Sequence, residues 1–295
     1  MIYRVRKNIP DLCVTVGYKC NFKCAHCVVA DKRQAGLSSE EIRMLSGLGR
    51  SYKVGRLLFV GGEPTLYTDD INSVLSGFPS NDRPHVTITT NGYFASTKAK
   101  AALFLKRFRY LDAVQLSYDR YHKKFLPINN VAFLYRAAKD LGKEFSVILT
   151  IENPMDLTLV EEFRGAGDFP VGVQKVHPTP TLPGDRLRRI YPGFDPAVFK
   201  KKCPNLGKMA YLCGEGFSVC CSYLTRGQYS EKFIHPDVDS HRKSRFYRLI
   251  SRYSLGQVME RSGVSAEKML PEFSSPCVLC NYIFSKALSK NPEIV

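Results

Sequence analysis

Three cysteines with close spacing lie near the start of the sequence, in the segment CNFKCAHC that contains Cys20, Cys24 and Cys27. Thiolates are soft ligands that bind zinc or iron–sulfur clusters. Three of them can bind three corners of a cubic cluster and leave its fourth iron without a protein ligand. A structural zinc ion would need a fourth ligand, and His26 is poorly placed for this because it adjoins Cys27. The spacing therefore favours a [4Fe–4S] cluster over zinc.

Six further cysteines lie between Cys203 and Cys280. Four cysteines suffice for one fully ligated [4Fe–4S] cluster. Cys203, Cys277 and Cys280, together with Cys221 or its neighbour Cys220 as a substitute, could supply them. A zinc ribbon on the same cysteines is the alternative.

Cys213 is outside the predicted set. A free cysteine is most often a small buried hydrophobic residue, and this is the interpretation we adopt for Cys213. A substrate ligand or a hydrogen-atom donor is the alternative role.

The segment Gly61-Gly62-Glu63-Pro64 directly follows an apolar run. Glycines let the backbone approach a ligand closely, and a carboxylate suits a ligand ammonium group. Alone, the segment would be an ordinary turn with a surface acid. After the three-cysteine segment, it indicates a ligand-binding turn.

Apolar runs typical of strands alternate with helical patterns over the first part of the chain. Strands are predicted at 11–17, 56–60, 85–90, 112–117, 145–151 and 171–176, with a capping box at Ser38 and Glu41 before the first helix. Strands separated by single helices pair in parallel through right-handed crossovers. The predicted fold class is therefore α/β, a partial (β/α)6 parallel barrel, with a smaller irregular C-terminal Fe–S domain.

The alternation ends near Pro178, where HPTPTLPGDR is typical of a linker. We predict a barrel domain over residues 1–184 and a cysteine-rich, basic domain over residues 185–295.

From Leu12 to about Pro183 the sequence resembles the radical S-adenosylmethionine (SAM) superfamily. Its members hold a [4Fe–4S] cluster with three cysteines spaced as CxxxCxxC, and SAM chelates the open iron. The resemblance assigns Cys20, Cys24 and Cys27 to that cluster and places His26 near the adenine. It also implies that Gly61, Gly62 and Glu63 contact the SAM amino group.

Weaker matches to the same family follow the next two strands. Thr90 and Asn91 match a segment that lies near the SAM ribose. Ser117 is at a position where members contact the ribose or the carboxylate. Ordinary turns at the ends of strands are the alternative for all three residues.

The C-terminal cysteines resemble the SPASM/Twitch pattern, in which a glycine stands between the first two ligands. Twelve residues separate Cys203 from Gly216, and four separate Gly216 from Cys221. A full SPASM domain needs more cysteines than this chain offers. The resemblance therefore implies the half-size Twitch version, with one auxiliary [4Fe–4S] cluster.

The family resemblance implies reductive cleavage of SAM to a 5′-deoxyadenosyl radical that removes a hydrogen atom from the substrate. An oxidoreductase, with the auxiliary cluster as electron acceptor, is our leading hypothesis. A peptide-modifying enzyme that forms thioether or C–C bonds and a redox-neutral epimerase are alternatives, as is a zinc-bearing nucleic-acid-binding protein from another class.

The complete four-cysteine set and the ending Asn-Pro-Glu-Ile-Val argue against a GTP-cyclising enzyme. Only nineteen residues precede Cys20, so a peptide leader would need a separate recognition protein.

The chain has 295 residues and a formal net charge of +16, from 43 Lys and Arg against 27 Asp and Glu. The charge favours an acidic flavodoxin- or ferredoxin-type electron donor or an anionic substrate, and candidate contacts are Arg186, Arg188, Arg189 and Lys200 to Lys202. The sequence lacks RNA-binding motifs, membrane-spanning runs and a secretion signal. We therefore expect a cytoplasmic protein that acts on a small molecule or peptide, without membrane or nucleic-acid partners.

Four further side chains near the predicted strand ends are candidate substrate contacts: Asp119, Tyr121, His122 and His177. For each of them, a loop residue with no functional role is the preferred interpretation.

Overall fold

A computed structural model describes residues 6–29, 36–177, 191–266 and 268–294. Contacts between Cα atoms divide the chain into two compact units, Met1–Pro183 and Gly184–Val295. The predicted linker from Pro178, the predicted boundary after residue 184 and the arginines at 186, 188 and 189 all lie outside the described residues.

The first unit alternates strands with helices along the chain. The strands are β1 (Lys7–Thr15), β2 (Tyr52–Val60), β3 (His85–Thr90), β4 (Ala113–Ser117), β5 (Glu144–Ile151) and β6 (Val171–Lys175). The helices between them are α1 (Ser39–Ser51), α2 (Thr68–Leu75), α3 (Lys98–Leu105), α4 (Ile128–Asp140) and α5 (Leu159–Ala166). These strands are ordered β6-β5-β4-β3-β2-β1, and all neighbouring pairs are parallel. The predicted α/β fold with a parallel sheet is confirmed.

Local sequence signals set the ends of several elements. Ser38 is the N-cap of α1, where the Glu41 backbone N–H donates to its hydroxyl and its own N–H donates to the Glu41 carboxylate. This is the predicted capping box, which satisfies two backbone donors at the start of the helix. Thr97 caps α3 by accepting a hydrogen bond from the Lys100 N–H at 3.1 Å.

The core of the first unit lies where the sheet packs on its helices. Apolar side chains of the central strands, such as Phe59, Ile88 and Val114, are fully buried. Burying a side chain of this size stabilises the fold by roughly 1.5–3 kcal/mol. Successive residues of β3 alternate between buried and half-buried, as expected of a strand with one face in the core.

β1 and β2 are longer than predicted at their N-terminal ends. Lys7 pairs with Tyr52 and Asn8 with Lys53, ahead of the apolar runs. Lys7, Asn8 and Lys53 are exposed and are interspersed with buried apolar residues such as Ile9 and Tyr52, so a search for continuous apolar runs does not detect this part of the ladder. Backbone pairing and alternating burial together extend both strands.

The second unit combines a short hairpin with helices. Strands β7 (Lys208–Leu212) and β8 (Gly216–Ser218) pair in antiparallel fashion. The helices are α6 (Val238–Lys243), α7 (Arg245–Arg252), α8 (Leu255–Arg261) and α9 (Pro276–Lys290). The core contains edge-to-face contacts among Phe233, Phe246 and Phe284.

None of the helices that the structure describes combines sufficient length with sufficient apolar character to cross a bilayer.

Candidate functional site

The loop that carries the first three cysteines is held by backbone contacts with the turn after β2. The Gly62 N–H donates to the Gly17 carbonyl and the Glu63 N–H donates to the Lys19 carbonyl, both at 2.9 Å. A Cβ atom at Gly62 would lie 2.2 Å from the Lys19 oxygen, and one at Gly61 would lie 2.4 Å from the Gly17 oxygen. The Gly-Gly pair is therefore required for contact between the two loops, independently of any ligand.

A cavity of about 210 Å³ lies at the carboxyl ends of the strands of the first unit. Its lining contains all three cysteines of the loop and every residue predicted to contact SAM. These ten residues are Cys20, Cys24, His26, Cys27, Gly61, Gly62, Glu63, Thr90, Asn91 and Ser117. The fold thus brings together residues from four separate segments of the sequence. The carboxyl ends of parallel strands are where α/β folds bind their ligands.

Further polar residues at the ends of β5 and β6 also line this cavity. They are Thr150, Gln174, Lys175 and His177, of which only His177 was a sequence candidate. The Gln174 amide donates to the Thr150 hydroxyl at 3.0 Å, and burial lowers the pKa of His177. The rule that polar residues at strand carboxyl ends line the site could have identified the other three.

Glu63 is almost fully buried and joins the turn after β2 to the end of β3. Its Oε1 accepts hydrogen bonds from the Thr65 N–H at 3.1 Å, from the Thr65 hydroxyl and from the Thr90 hydroxyl at 2.7 Å. Its Oε2 accepts one from the Asn91 N–H at 2.8 Å. Burial raises the pKa of Glu63, and these hydrogen bonds oppose the rise. The carboxylate is thus already a structural acceptor, and Oε2 has the greater remaining capacity for a ligand donor.

Asn91 connects the end of β3 to the cysteine loop. Its side-chain amide donates to the Asn21 side chain at 2.8 Å and lies 3.8 Å from the Cys20 sulfur. Its side-chain oxygen accepts from the Tyr93 N–H at 3.1 Å. Asn91 therefore helps to fix the position of Cys20, which is a role that the sequence did not indicate.

Asp119 lies between two imidazole rings at the side of the cysteine loop. Its carboxylate oxygens are 3.2 Å from His26 Nε2 and 3.0 Å from His122 Nδ1. Asp119 is fully buried, and the two histidine side chains are nearly so. The ligand atoms of the three residues lie within 4.8 Å of one another, a spacing that a metal ion can also bridge. From the sequence alone, loop residues with no functional role are the preferred interpretation of Asp119 and His122.

The electrostatics of this group favour a buried ion pair. Burial alone would raise the pKa of Asp119, but hydrogen bonds from His122 and His26 hold it well below its usual range. Burial alone would lower the pKa of His122, but interactions with Asp119 and Cys24 raise it to about 10. His122 is therefore an imidazolium at neutral pH, and it contacts Cys24 of the cysteine loop.

Tyr121 links the same group to the end of β5. Its ring stacks on His26 with ring centroids 4.3 Å apart. Its hydroxyl donates to the carboxylate of Glu152 at 2.5 Å, and Arg120 lies 3.3 Å from that carboxylate. Contacts from the segment after β4 thus support His26 from two sides.

In the second unit, Cys203, Cys220, Cys277 and Cys280 line a single cavity. Cys221 was the first choice from the sequence, but it is exposed and does not line this cavity. The turn after β8 directs Cys220 inward, where its N–H donates to the Ser218 hydroxyl at 3.0 Å. The structure thus favours the substitute over the first choice. Spacing from Gly216 cannot show which of two adjacent side chains points inward.

Burial disfavours the ionised thiolate form of these cysteines. It raises the pKa of Cys220 to about 11 and that of Cys277 to about 12, and it raises the pKa of Cys280 well above the usual value. Neighbouring thiols add to the last two increases. A cationic metal centre reverses this preference because it stabilises bound thiolates. Cys213 is fully buried and does not line the cavity.

Residues 14–152 match the sequence model of the Radical SAM superfamily. This segment is a radical SAM domain. It extends from within β1 to just after β5 and contains the cysteine loop, the Gly-Gly-Glu turn and the Asp119 group. The likeness to known proteins therefore covers most of the residues that line the first cavity.

Relatives of the radical SAM domain include two archaeal proteins named as probable GTP 3′,8-cyclases. The protein of Sulfurisphaera tokodaii is 37% identical over 101 residues, which cover 34% of this chain and 32% of the relative. The protein of Saccharolobus solfataricus is 30% identical over 95 residues, which cover 32% of this chain and 30% of the relative. The chain thus spans about a third of the length of these relatives.

A solved structure of native anSMEcpe with bound AdoMet and a Cp18Cys peptide resembles the whole chain. The alignment covers 97% of this chain and 98% of that chain, with a TM-score of 0.50 and 14% sequence identity. At this identity the likeness shows the fold alone.

The radical SAM family implies a [4Fe–4S] cluster and SAM, and the donors of the first cavity fit this requirement. The three thiols of the loop share a wall of the cavity, and His122 provides a cationic neighbour for Cys24. Thiolates are the usual ligands of such clusters. Cys20, Cys24 and Cys27 would hold the cluster, where it supplies the one-electron reduction of SAM.

Proposed function

We propose that this radical SAM enzyme oxidises its substrate and that a second [4Fe–4S] cluster in the C-terminal unit accepts an electron. The observation that carries the proposal is the convergence of Cys203, Cys220, Cys277 and Cys280 on one cavity, in addition to the three cysteines of the first. Four cysteines provide every protein ligand that such a cluster needs, so its role would be electron transfer rather than substrate binding at an open iron.

When bound, the cluster of the first unit and SAM supply a 5′-deoxyadenosyl radical that abstracts a hydrogen atom from the substrate. The chain's own residues bind and orient the reactants. Asn91 and the Asp119 group fix the cysteine loop, and the buried Glu63 offers Oε2 to the SAM ammonium group. A charge-assisted hydrogen bond of this kind would offset part of the cost of burying the carboxylate.

The oxidation balances as a loss of two electrons from the substrate. One electron would leave with the hydrogen atom that is transferred to 5′-deoxyadenosine. Cys203, Cys220, Cys277 and Cys280 would hold the cluster that accepts the second electron, and a proton would be released to water. Each turnover also uses one electron from an external donor, for which we propose an acidic flavodoxin or ferredoxin.

Two further substrate classes are suggested by similar proteins. The archaeal relatives named as GTP 3′,8-cyclases favour a nucleotide and a cyclisation. The fold neighbour has AdoMet and a peptide bound, which favours peptide modification. The complete thiol set of the second unit argues against substrate binding at an open iron, and we therefore place oxidation first.

Cysteine replacements in the reconstituted protein test the proposal. The wild type is expected to bind about eight irons per chain and to release 5′-deoxyadenosine under dithionite. Replacement of Cys20, Cys24 and Cys27 by Ala should abolish that release and leave about four irons. Replacement of Cys203, Cys277 and Cys280 should also leave about four irons but should preserve SAM cleavage.

The control is Cys13→Ala, which removes a cysteine from β1 and should leave both readouts unchanged. Undiminished 5′-deoxyadenosine release from the first triple variant would remove the radical SAM assignment of that loop. Zinc in place of iron in the second unit would remove the electron-transfer role. Release that rises on addition of GTP, with formation of a cyclised nucleotide, would replace oxidation by cyclisation.

A further inference from the structure

The second unit contains a concave surface whose rim is formed by arginines. It encloses about 560 Å³ and is lined by Arg245, Arg248, Arg252 and Arg261, together with Leu249, Tyr253, Ser262 and Ile294. None of these residues lines the cysteine cavity of the same unit. We refer to this surface as the arginine pocket.

The sequence of α7 places three of the arginines on one side of that helix. Arg245, Arg248 and Arg252 are separated by three and four residues, the spacing of side chains that share a helix face. The other face of α7 carries Phe246 and Ile250, which are buried in the core. Core packing therefore fixes the helix so that its arginines face the pocket.

The fourth arginine reaches the pocket from the end of α8. Its guanidinium lies 4.0 Å from the centroid of the Tyr253 ring. This cation–π contact holds Arg261 on the residue that directly follows α7. The positive charges therefore come from two helices whose relative placement is fixed by packing within one unit.

These arginines have no acidic partners among the residues that the structure describes. Other arginines in the chain do, as in the pairs Arg56 with Asp11 and Arg83 with Asp112. Arg245 donates to the backbone carbonyl of Glu293 at 3.1 Å, and this neutral acceptor brings no negative charge to the pocket. Four positive charges around one concavity repel one another and create a field that attracts a multiply charged anion.

We propose that the arginine pocket binds the phosphate groups of a small phosphorylated molecule. The planar guanidinium matches two phosphate oxygens at once, and a set of converging arginines suits a group with several charged oxygens. The volume falls within the range of roughly 300–1,000 Å³ that is usual for small-molecule sites. Leu249 and Ile294 provide apolar surface for the remainder of the ligand. The proposal is independent of the oxidation proposed above.

The four exposed arginines border one open concavity of limited size, which distinguishes this site from the surface expected for a macromolecule. Nucleic acid is usually bound by an extended basic surface that follows the backbone. A volume of about 560 Å³ matches a small molecule rather than a duplex or a protein domain. A nucleotide, a sugar phosphate or another phosphate ester of similar size fits this description.

Binding of inorganic triphosphate to the reconstituted protein tests the proposal. Isothermal titration calorimetry would compare the wild type with Arg248→Gln/Arg252→Gln, since neither side chain forms a hydrogen bond or cation–π contact with another residue that the structure describes. The double variant is expected to weaken binding by about tenfold or more, because it removes two charge-assisted contacts to the phosphate oxygens. Arg248→Lys/Arg252→Lys keeps the charge but loses the contact of one guanidinium with two oxygens. Its affinity for triphosphate should therefore lie between those of the wild type and the Gln variant.

The matched control is Lys53→Gln/Arg136→Gln, which removes two exposed positive charges from the first unit. It should change the affinity for triphosphate by less than about twofold, since exposed charges are screened over about 10 Å in salt. Equal weakening by the control and the pocket variant would overturn the proposal in favour of a general charge effect. The absence of triphosphate binding to the wild type, with tight binding of an RNA oligomer or an acidic protein, would also overturn it. Unchanged iron content and circular dichroism would show that the variants are folded.

Discussion

The Asp119 carboxylate carries a buried charge that is balanced by His122 and contacted by His26. A buried ion pair contributes little net stability compared with apolar residues, but removal of one partner is costly because the other charge stays uncompensated. At this site the uncompensated charge would be an imidazolium in contact with Cys24. The stability of the cysteine loop therefore depends on a residue that the sequence motif does not include.

Asp119→Asn is expected to destabilise the protein by on the order of 3 kcal/mol in urea unfolding at pH 7. The control is Asp140→Asn, which breaks an exposed pair with Lys98 and should cost less than about 1 kcal/mol. Adding His122→Asn to Asp119→Asn should restore part of the loss, because it removes the unpaired cation. Equal effects of the two single variants, or no recovery in the double variant, would contradict the buried ion pair.

The motif that contains Glu63 predicts the position of this residue beside the cavity but not its hydrogen-bond partners. Its position beside the cavity was expected from the Gly-Gly-Glu-Pro segment, and the structure places it on the cavity lining. Its hydrogen bonds to Thr65, Thr90 and the Asn91 backbone were not expected, because they depend on how close the ends of β2 and β3 lie in the fold. A motif indicates residue types near a ligand, whereas their protein partners follow from tertiary packing.

At the level of elements, the sequence was informative where a local cause determines the structure. The capping box at Ser38 and the apolar runs of β3 and β5 needed no tertiary information. The first residues of β1 and β2 could not be predicted from continuous apolar runs, because exposed polar residues interrupt the buried apolar ones there. The choice between Cys220 and Cys221 likewise depends on the turn after β8, which the sequence pattern does not specify.

Helix α6 contains a buried histidine that makes the second unit sensitive to acid. His241 is fully buried, and its Nε2 accepts a hydrogen bond from the Val219 N–H at 2.9 Å while its Nδ1 lies 3.1 Å from His235 Nδ1. Burial, with the nearby charges of His235 and Arg242, lowers the pKa of His241 to about 4. The neutral ring is the form that can accept the Val219 hydrogen bond.

Stability is therefore expected to fall as the pH decreases from above 6.5 towards about 4. Over this range the unfolded chain binds a proton that folded His241 does not, so protons favour unfolding. At pH 5 the loss is about 2 kcal/mol relative to pH 7.5. Urea unfolding of the wild type and of His241→Gln, whose side chain can still accept a hydrogen bond, measures this difference. A wild type no more acid-sensitive than the variant would show that His241 does not titrate as described.

At the scale of the whole molecule, two groups of exposed positive charges in the second unit contribute to the net charge of +16. The arginine pocket holds four of the positive charges, and Lys200, Lys201 and Lys202 form a second exposed group directly before Cys203. Lys202 donates to the Ser251 carbonyl at 3.1 Å, which leaves its charge available to a partner. An electron donor that docks on these lysines would approach the chain beside a proposed ligand of the second cluster.

Charge reversal at this lysine group tests whether it docks the donor. Lys200→Glu/Lys201→Glu is expected to slow turnover driven by an acidic flavodoxin, by about tenfold at low salt, because electrostatic complementarity mainly raises association rates. The effect should shrink as salt increases, since screening shortens the range of the attraction. Turnover driven by dithionite should stay unchanged, because a small reductant does not require a docking surface.

The control Lys53→Glu/Arg136→Glu makes the same charge change in the first unit and should leave both rates close to wild type. If the lysine variant lost rate equally with flavodoxin and dithionite, the lysines would act on substrate binding or folding rather than on the donor, and an anionic substrate would become the better explanation of this surface.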